Sequence, residues 1–362
     1  MQHNKPIWIA GLMSGTSLDG VDGACLLTNG DKIFAFGPSA YVPYSETQRD
    51  TLRAGLGLWQ GDPDLAEVEA IILEVHCAVL AKLPKVQLVG FHGQTLAHDP
   101  VNNRTHQIGC GAQLAKHTSY AVAWDFRTND VALGGQGAPL APIYHWAMAR
   151  YARCEAEIAI VNLGGVGNLT WIDPSLKPEM GVLAFDTGPA NAPLNDAILS
   201  RTGASFDEYG SLAAQGAASK VIIDQLLNHK YFAQKPPKSL DRDEFGFLTK
   251  SVENLSLVDA AATLTHAVAR SVALSLDHLP SPPREIWITG GGRKNLEIMR
   301  LLRAGLPMEV RDIDELGFDG DMVEAQAFAY LAARVLYRLP TSFPLTTGVA
   351  SPVIGGKISA AS

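Results

Sequence analysis

Residues 11–23 read GLMSGTSLDGVDG and follow directly on the apolar run PIWIA, residues 6–10. The stretch concentrates four glycines, three hydroxyl side chains and two aspartates near the start of the chain. An apolar strand that leaves onto a Gly/Ser/Thr turn aims backbone N–H groups at an anion. The same layout also turns ordinary hairpins. Phosphate cradle and plain turn both stay open at this point.

The surrounding pattern occurs twice. Residues 5–36, KPIWIAGLMSGTSLDGVDGACLLTNGDKIFAF, predict strand, Gly-rich turn, strand, Asn-Gly turn, strand. Residues 155–188, EAEIAIVNLGGVGNLTWIDPSLKPEMGVLAFDTG, repeat that order: an apolar strand, the turn NLGGVGN, a strand, a Pro-bearing loop and the strand GVLAF. Two hairpin openings a domain's length apart predict an internal duplication with a cleft between the halves.

Between them, KVQLVGFHGQT (85–95) predicts a buried strand leaving onto a polar loop, and GCGAQLAKHTSYAVAWDF (109–126) a helix and a strand. PLAPIYHWAMARYA (139–152) predicts a helix with Pro near its start that crosses to the second half. Beyond residue 186 the periodicity is mainly helical, over 208–228, 256–278 and 321–338. One strand, REIWITGGG (284–292), interrupts it and leads into the helix NLEIMRLLRAG (295–305). The class is α/β, with mixed sheets and helices on their faces.

The chain of 362 residues, 47% hydrophobic and 18% charged, is long enough for about two domains with their own cores. A net charge of -8 with no basic patch argues against a nucleic-acid surface and for small-molecule partners. Cys25, Cys77, Cys110 and Cys154 form no CxxC pair and no zinc spacing. They read as reduced and mostly buried. The start MQHNKPIWIA has no signal-peptide layout and no apolar run reaches a membrane span, so a soluble, cytoplasmic protein is expected. His92, His98 and His106 lack a helical i, i+4 pair and make no zinc site.

Each Gly-rich turn alone has an ordinary reading; TGGGRKN is the most telling. A triple glycine between an apolar strand and a helix clears side chains where a ligand lies against backbone, and the helix start attracts anions. No Walker G-x-x-x-x-G-K-[ST] occurs: the nearest string, GGKIS near the C-terminus, lacks the upstream glycine. No G-x-G-x-x-G follows a strand, and WDFRTND is not a kinase Asp-Phe-Gly. A Walker ATPase, a Rossmann dehydrogenase and a protein kinase are thereby disfavoured.

Two hairpin-opened halves and a late strand-GGG-helix resemble the actin-like ATPase and sugar-kinase superfamily. Within it, GLMSGTSLDGVD, GFHGQT, NLGGVGNLT, FDTGPAN, ITGGGRKN, EAQAFAYLA and TTGVASPVIGGKIS resemble the 1,6-anhydro-N-acetylmuramic acid kinases of cell-wall recycling, over about residues 8–358. The resemblance implies two actin-like, ribonuclease-H-like domains, 1–135 plus 341–362 and 136–340, with a nucleotide cleft between them. It implies ATP and Mg2+ as cofactors, a small sugar as partner and, as a family expectation, a homodimer.

The resemblance also implies roles. Gly15, Thr16, Ser17, Leu18, Asp19, Gly20, Val21 and Asp22 form the first phosphate turn, with Asp19 or Asp22 orienting Mg2+. Gly164, Gly165, Gly167 and Asn168 cap the phosphates from the other half, and Gly290, Gly291 and Gly292 lie beside the adenosine. Asp186, at the end of GVLAF, is the base that activates water against the anomeric carbon. A helix N-cap is its alternative role. Glu324 lies near the sugar or is an ordinary first-turn glutamate. His92, Gln94 and Thr95 at the strand exit orient the sugar; Arg127 pairs with a carboxylate or phosphate, or makes a surface ion pair.

Two departures stand out. Met13 occupies the place where many superfamily members carry the aspartate of Asp-x-Gly-Thr, and Leu240 and Asp241 stand in PPKSLDRDEFG where Thr-Gly-Arg is expected. That loop receives no catalytic role. Two other function classes compete with the kinase: a glycoside hydrolase using Asp186 and Glu324, which has no use for ATP, and a non-catalytic actin-like module that binds nucleotide without a small acceptor.

Overall fold

The computed structural model describes residues 4–240 and 244–361. They divide into two compact units, one running to Arg153 and resuming at Met322, the other spanning Cys154–Asp321.

In the first unit, β1 (Ile7–Ser14), β2 (Gly20–Thr28) and β3 (Ile33–Pro43) form an antiparallel meander. Strand β4 (Leu88–Asp99) adds parallel to β1, and β6 (Val122–Trp124) parallel to β4. Strand β5 (Arg104–Ile108) returns along the far half of β4, and β12 (Lys357–Ser359) closes the edge beside β6. One core gathers Leu12, Val89 and Phe91 of the sheet with Ile72, Val75 and Val79 of the helix Leu65–Lys82. The helix Val323–Leu336, apolar nearly all round, lies on β1, β2 and β4. Its backbone approaches so closely that a Cβ on Gly11 would stand 1.9 Å from the Ala325 carbonyl oxygen, and one on Gly90 2.2 Å from that of Phe328.

The second unit repeats the plan. Strands β7 (Ile158–Leu163), β8 (Val166–Ile172) and β9 (Val182–Pro189) form the meander, β10 (Glu285–Thr289) lies parallel to β7, and β11 (Glu309–Asp312) parallel to β10. Counted within each unit, both sheets run third, second, first, then two parallel strands. The duplication expected from the two hairpin openings is therefore present in topology. Helices Leu257–Ser275 and Leu296–Gly305 pack their apolar faces on the second sheet through Val268, Val272, Ile298 and Leu302.

Several expectations need correcting. Strand β4 does not stop before His92 but continues to Asp99, because β5 supplies partners from Gln94↔Ile108 to Asp99↔Arg104. Gly93, at φ +74, permits the irregular backbone in the middle of that strand. Strand β9 likewise runs through Asp186 to Pro189. Over 208–228 only Lys220–Leu227 is α-helical; Gly210 at φ +72 and Tyr209 at φ 54 break the earlier part into short turns. The helix Pro142–Tyr151 stays with the first unit, packed on β3 and on Val323–Leu336, so residues 136–153 and 322–340 fall in the first unit and not the second. All four cysteines are free, but only Cys25 is buried and the other three are half-buried.

Candidate active site

The opening turn is closed by the Leu18 N–H, which donates to the Gly15 carbonyl at 3.2 Å, with Leu18 at φ 59. The Leu18 and Val21 side chains enter the core, so these residues offer a ligand only backbone. Thr16, Ser17 and Asp19 are exposed. A Cβ on Gly15 would find nothing nearer than the Ser17 hydroxyl at 3.7 Å, so the space over this turn is open. Gly20 has a packing reason instead: its Cβ would meet the Val42 carbonyl at 2.5 Å and the Tyr41 ring at 2.6 Å. Tyr41 donates its hydroxyl to the Asp19 carbonyl at 2.9 Å and is the cross-strand partner of Asp22; burial, then the Asp19 and Asp22 charges, raise its pKa.

On β4, Gln94 is fully buried and accepts from the Ser14 hydroxyl at 2.6 Å, while Ser14 also bonds the Tyr44 hydroxyl at 2.8 Å. Gln94 thus ties β4 to β1 and is remote from solvent. Thr95 is half-buried beside Gln107, whose amide donates to its hydroxyl at 3.3 Å. His92 has its Nδ1 2.8 Å from the Gly93 carbonyl and receives Arg127 Nε at 3.1 Å on Nε2. Burial, then the Arg127 charge, hold this imidazole well below its ordinary pKa, so it is neutral and donates from Nδ1. Burial pulls Arg127 down to about 10 against the opposing charges of Glu324 and Asp130. The structure thus brings His92, Arg127 and Glu324 into one electrostatic cluster, with Glu324 in the exposed first turn of Val323–Leu336.

Asp130, which the sequence reading missed, builds the support for Arg127. Arg127 Nη1 donates to the Gly137 carbonyl at 3.2 Å, and the Gly137 N–H donates to Asp130 Oδ1 at 2.6 Å. Asp130 Oδ2 accepts from Thr347 Oγ1 at 2.7 Å and from the Ser342 hydroxyl. The C-terminal TTG string is part of this buried network. No local signal marks Asp130, since Ser342 and Thr347, which hold its Oδ2, lie more than two hundred residues away.

In the second unit, register assembles what spacing left apart. Thr289, Asn162, Asn168 and Asp186 are successive cross-strand partners on β10, β7, β8 and β9. Directly opposed residues share a sheet face, so four polar side chains form one row. The turn between β7 and β8 is only Gly164–Gly165, whose carbonyls accept from the N–H groups of Ala190, Asn191 and Ala192. Gly167 is required by packing, because its Cβ would stand 2.4 Å from Thr187 Oγ1. Gly290, at φ +78, passes the Asn162 side chain so closely that a Cβ would lie 2.2 Å from Oδ1. Gly292 is buried against Leu163, and Gly291 is exposed with almost no neighbour. Buried Arg293 anchors this loop, donating to the Gly290 carbonyl at 3.1 Å, to Asp321 at 2.8 Å and to Asp314 at 3.1 Å.

Asp186 sits inside β9, and the helix Asn191–Thr202 is capped by Ala190, so the N-cap alternative is excluded. Its Oδ2 accepts from the Leu240 N–H at 2.7 Å. Its own N–H donates to the Lys238 carbonyl at 3.1 Å, and its carbonyl accepts from the Tyr231 hydroxyl at 2.5 Å. Burial pushes the carboxyl up to about 7, partly opposed by the Leu240 bond. A carboxylate with that affinity for a proton, oriented by one N–H on a backbone held at both its N–H and its carbonyl, is suited to general-base work near neutral pH. The loop set aside in the sequence reading therefore touches the proposed base; Asp241 lies outside the described residues.

The model of the anhydro-N-acetylmuramic acid kinases matches residues 7–361. The chain belongs to that family. It is 52% identical to anhydro-N-acetylmuramic acid kinase 1 of Jannaschia sp., covering 98% of this chain and 95% of the relative. It is also 52% identical to the anhydro-N-acetylmuramic acid kinase of Cereibacter sphaeroides, over 99% and 98%. Among solved structures, a glucokinase of the ROK family from Streptomyces griseus aligns with a TM-score of 0.42 at 12% identity, covering 90% of this chain and 99% of that one. Within the kinase family's strings, HGQT is strand throughout and FDTGPAN is strand as far as Pro189, and no helix among the described residues is long and apolar enough to cross a membrane.

Proposed function

We infer that the chain is an ATP-dependent kinase that opens the 1,6-anhydro ring of 1,6-anhydro-N-acetylmuramic acid and phosphorylates O6, giving N-acetylmuramic acid 6-phosphate in peptidoglycan recycling. Near-complete matching to kinases of that name supports the reaction. The observation that carries the residue assignment is Asp186, whose carboxyl, raised to about 7, accepts from the Leu240 N–H and whose backbone is held by Lys238 and Tyr231, in a polar row.

Asp186 takes the proton from a water as its oxygen bonds the anomeric carbon; the C1–O6 bond breaks, O6 bonds the γ-phosphorus and ADP leaves. Arg127, with neutral His92 accepting from it, presents a cation to the sugar's carboxylate, and Glu324 and Thr95 accept or donate at its hydroxyls. Gln94 supports them from within the strand pair. The N–H groups of Gly15, Thr16 and Ser17 receive phosphate oxygens, as do those of Gly164, Gly165 and Asn168, with Gly290, Gly291 and Gly292 against the nucleoside.

Mg2+ would neutralise phosphate charge during transfer. Asp19 and Asp22 would hold it, because Mg2+ takes one or two carboxylates beside water and phosphate oxygens, and these two flank Tyr41, Asp19 exposed on the turn and Asp22 opposite it in the sheet. The proposed compartment is the cytoplasm, where ATP is available, and the proposed assembly is a homodimer, which light scattering on the purified chain checks.

Turnover in 18O-labelled water tests the reaction. The label is expected at the anomeric hydroxyl and absent from the phosphate ester. Label in phosphate would mean that water attacks ATP, and product without ATP would mean a hydrolase.

A further inference from the structure

Lys238 is nine-tenths buried in a loop that otherwise runs over the surface. Its ammonium donates to the Tyr231 carbonyl at 3.2 Å and lies 3.2 Å from His278 Nε2. It also stands 4.5 Å from the centre of the Tyr231 ring and 5.6 Å from that of Phe185, the residue before Asp186. His278 Nε2 donates to the Phe232 carbonyl at 2.8 Å, so the attachments of the ammonium are the Tyr231 carbonyl and the Tyr231 and Phe185 rings, and the lysine's own backbone and near neighbour bracket Asp186. The Lys238 carbonyl takes the Asp186 N–H, and two residues on the Leu240 N–H donates to the carboxylate. Tyr231, the acceptor of the ammonium, itself holds the Asp186 carbonyl through its hydroxyl.

A lysine removed from water persists only when the contacts it gains offset its desolvation. Here those contacts fasten a segment with no regular secondary structure, residues 234–240, to the strand that carries the base. The segment's sole sequence peculiarity, Leu240, enters the contact through backbone N–H alone, so the departure from Thr-Gly-Arg does not remove this function. We propose that Lys238 is a positioning residue: its ammonium staples the 238–240 segment onto the Tyr231 carbonyl and ring so that the segment's backbone holds the Asp186 carboxylate in one orientation. The assignment of the reaction to Asp186 rests on the kinase reading; the stapling does not.

The titratable group whose charge acts on Asp186 among the described residues is Tyr231; the Lys238 ammonium and His278 lie against Phe185, the neighbouring residue of β9, whose side chain points to the other face of the strand. Strand β8 presents neutral Asn168, and the helix Leu257–Ser275 faces β9 with Ser271 at Gly188. Burial raises the Asp186 pKa and the Leu240 bond, which stabilises the ionised carboxylate, opposes it, so losing that bond with the carboxyl still buried raises the pKa further.

The test is the 13C titration of the Asp186 carboxyl, assigned by its disappearance in Asp186→Asn, in wild type, Lys238→Met and Lys238→Arg without any substrate. Lys238→Met keeps the stem and loses the ammonium; its Asp186 midpoint is expected to rise by about 0.5 or more, with Lys238→Arg near wild type. Unchanged midpoints in folded Lys238→Met overturn the proposal whether or not the wild type turns over sugar. If Lys238→Met does not fold, Lys238→Gln carries the same titration. In turnover assays the acid limb of kcat is expected to move upward with the titration and KM for ATP to stay constant. A fall in active fraction with an unmoved limb would leave Lys238 a structural lysine only and overturn the assignment.

Discussion

Asp186 meets two opposed demands. Burial raises its proton affinity to about 7, while the Leu240 N–H favours the ionised form. A base must be deprotonated, so kcat is expected to rise with pH through about 7 and level off above it. Asp186→Asn, nearly isosteric, is expected to bind Mg-ATP and sugar and to lose on the order of 10²-fold or more in kcat, measured on folded protein. Stability runs the other way. A carboxyl whose folded pKa is raised from its ordinary value of about 4 contributes stability that is whole below pH 4 and is lost as pH climbs to 7. Asp186→Asn is therefore expected to unfold at a temperature a few degrees above wild type at pH 8, with the gap closing towards pH 4, by calorimetry at both values. An equal gap at both pH values would show that ionisation of Asp186 carries no folding cost.

At the scale of elements, the helix Val323–Leu336 carries Glu324 in its first turn and sets it against Arg127 by lying on glycine windows in β1 and β4. Backbone contact that close leaves no room for a methyl group: the Gly90 Cβ would stand 2.2 Å from a carbonyl and 3.1 Å from the Ala332 side chain. Gly90→Ala is expected to cost about 1–3 kcal/mol in chemical denaturation, since a packed core absorbs added volume only by moving. If helix seating positions Glu324, the same variant also raises KM for the sugar more than KM for ATP. Equal changes in both constants would detach Glu324 placement from this contact. Strand extension has the same non-local character. His92, Gln94 and Thr95 belong to β4 because β5 pairs with its far half, and the turn expected there is displaced beyond Asp99.

For the whole molecule, the duplicated sheet order gives each unit a hairpin mouth rich in glycine and a helix-covered core of its own. A ligand that binds only the folded chain stabilises it by about 2.7 kcal/mol at 100 times its Kd. A non-hydrolysable ATP analogue with Mg2+ is accordingly expected to raise the unfolding temperature without any sugar present, and the anhydrosugar to add to that rise. A chain that responded to the sugar alone would be behaving as a glycosidase, and the glycine turns would return to ordinary hairpins.

What the sequence determined by itself was the repeated meander, the strand-glycine-helix near residue 290, the family and the identity of Asp186 as a candidate base. These are local: hydrophobic period, turn residues and contiguous strings are set by neighbours along the chain. Only the tertiary structure decided how they act together. The row Thr289–Asn162–Asn168–Asp186 exists because four strands adopt one register, the Asp130 network because residues 342–347 return to 130–137, and the hold on Asp186 because Lys238 is buried. That Asp186 is not a helix N-cap likewise waited on where β9 ends. Hydrogen-bond partners and burial are properties of segments brought together from distant parts of the chain, and no string of adjacent residues encodes them.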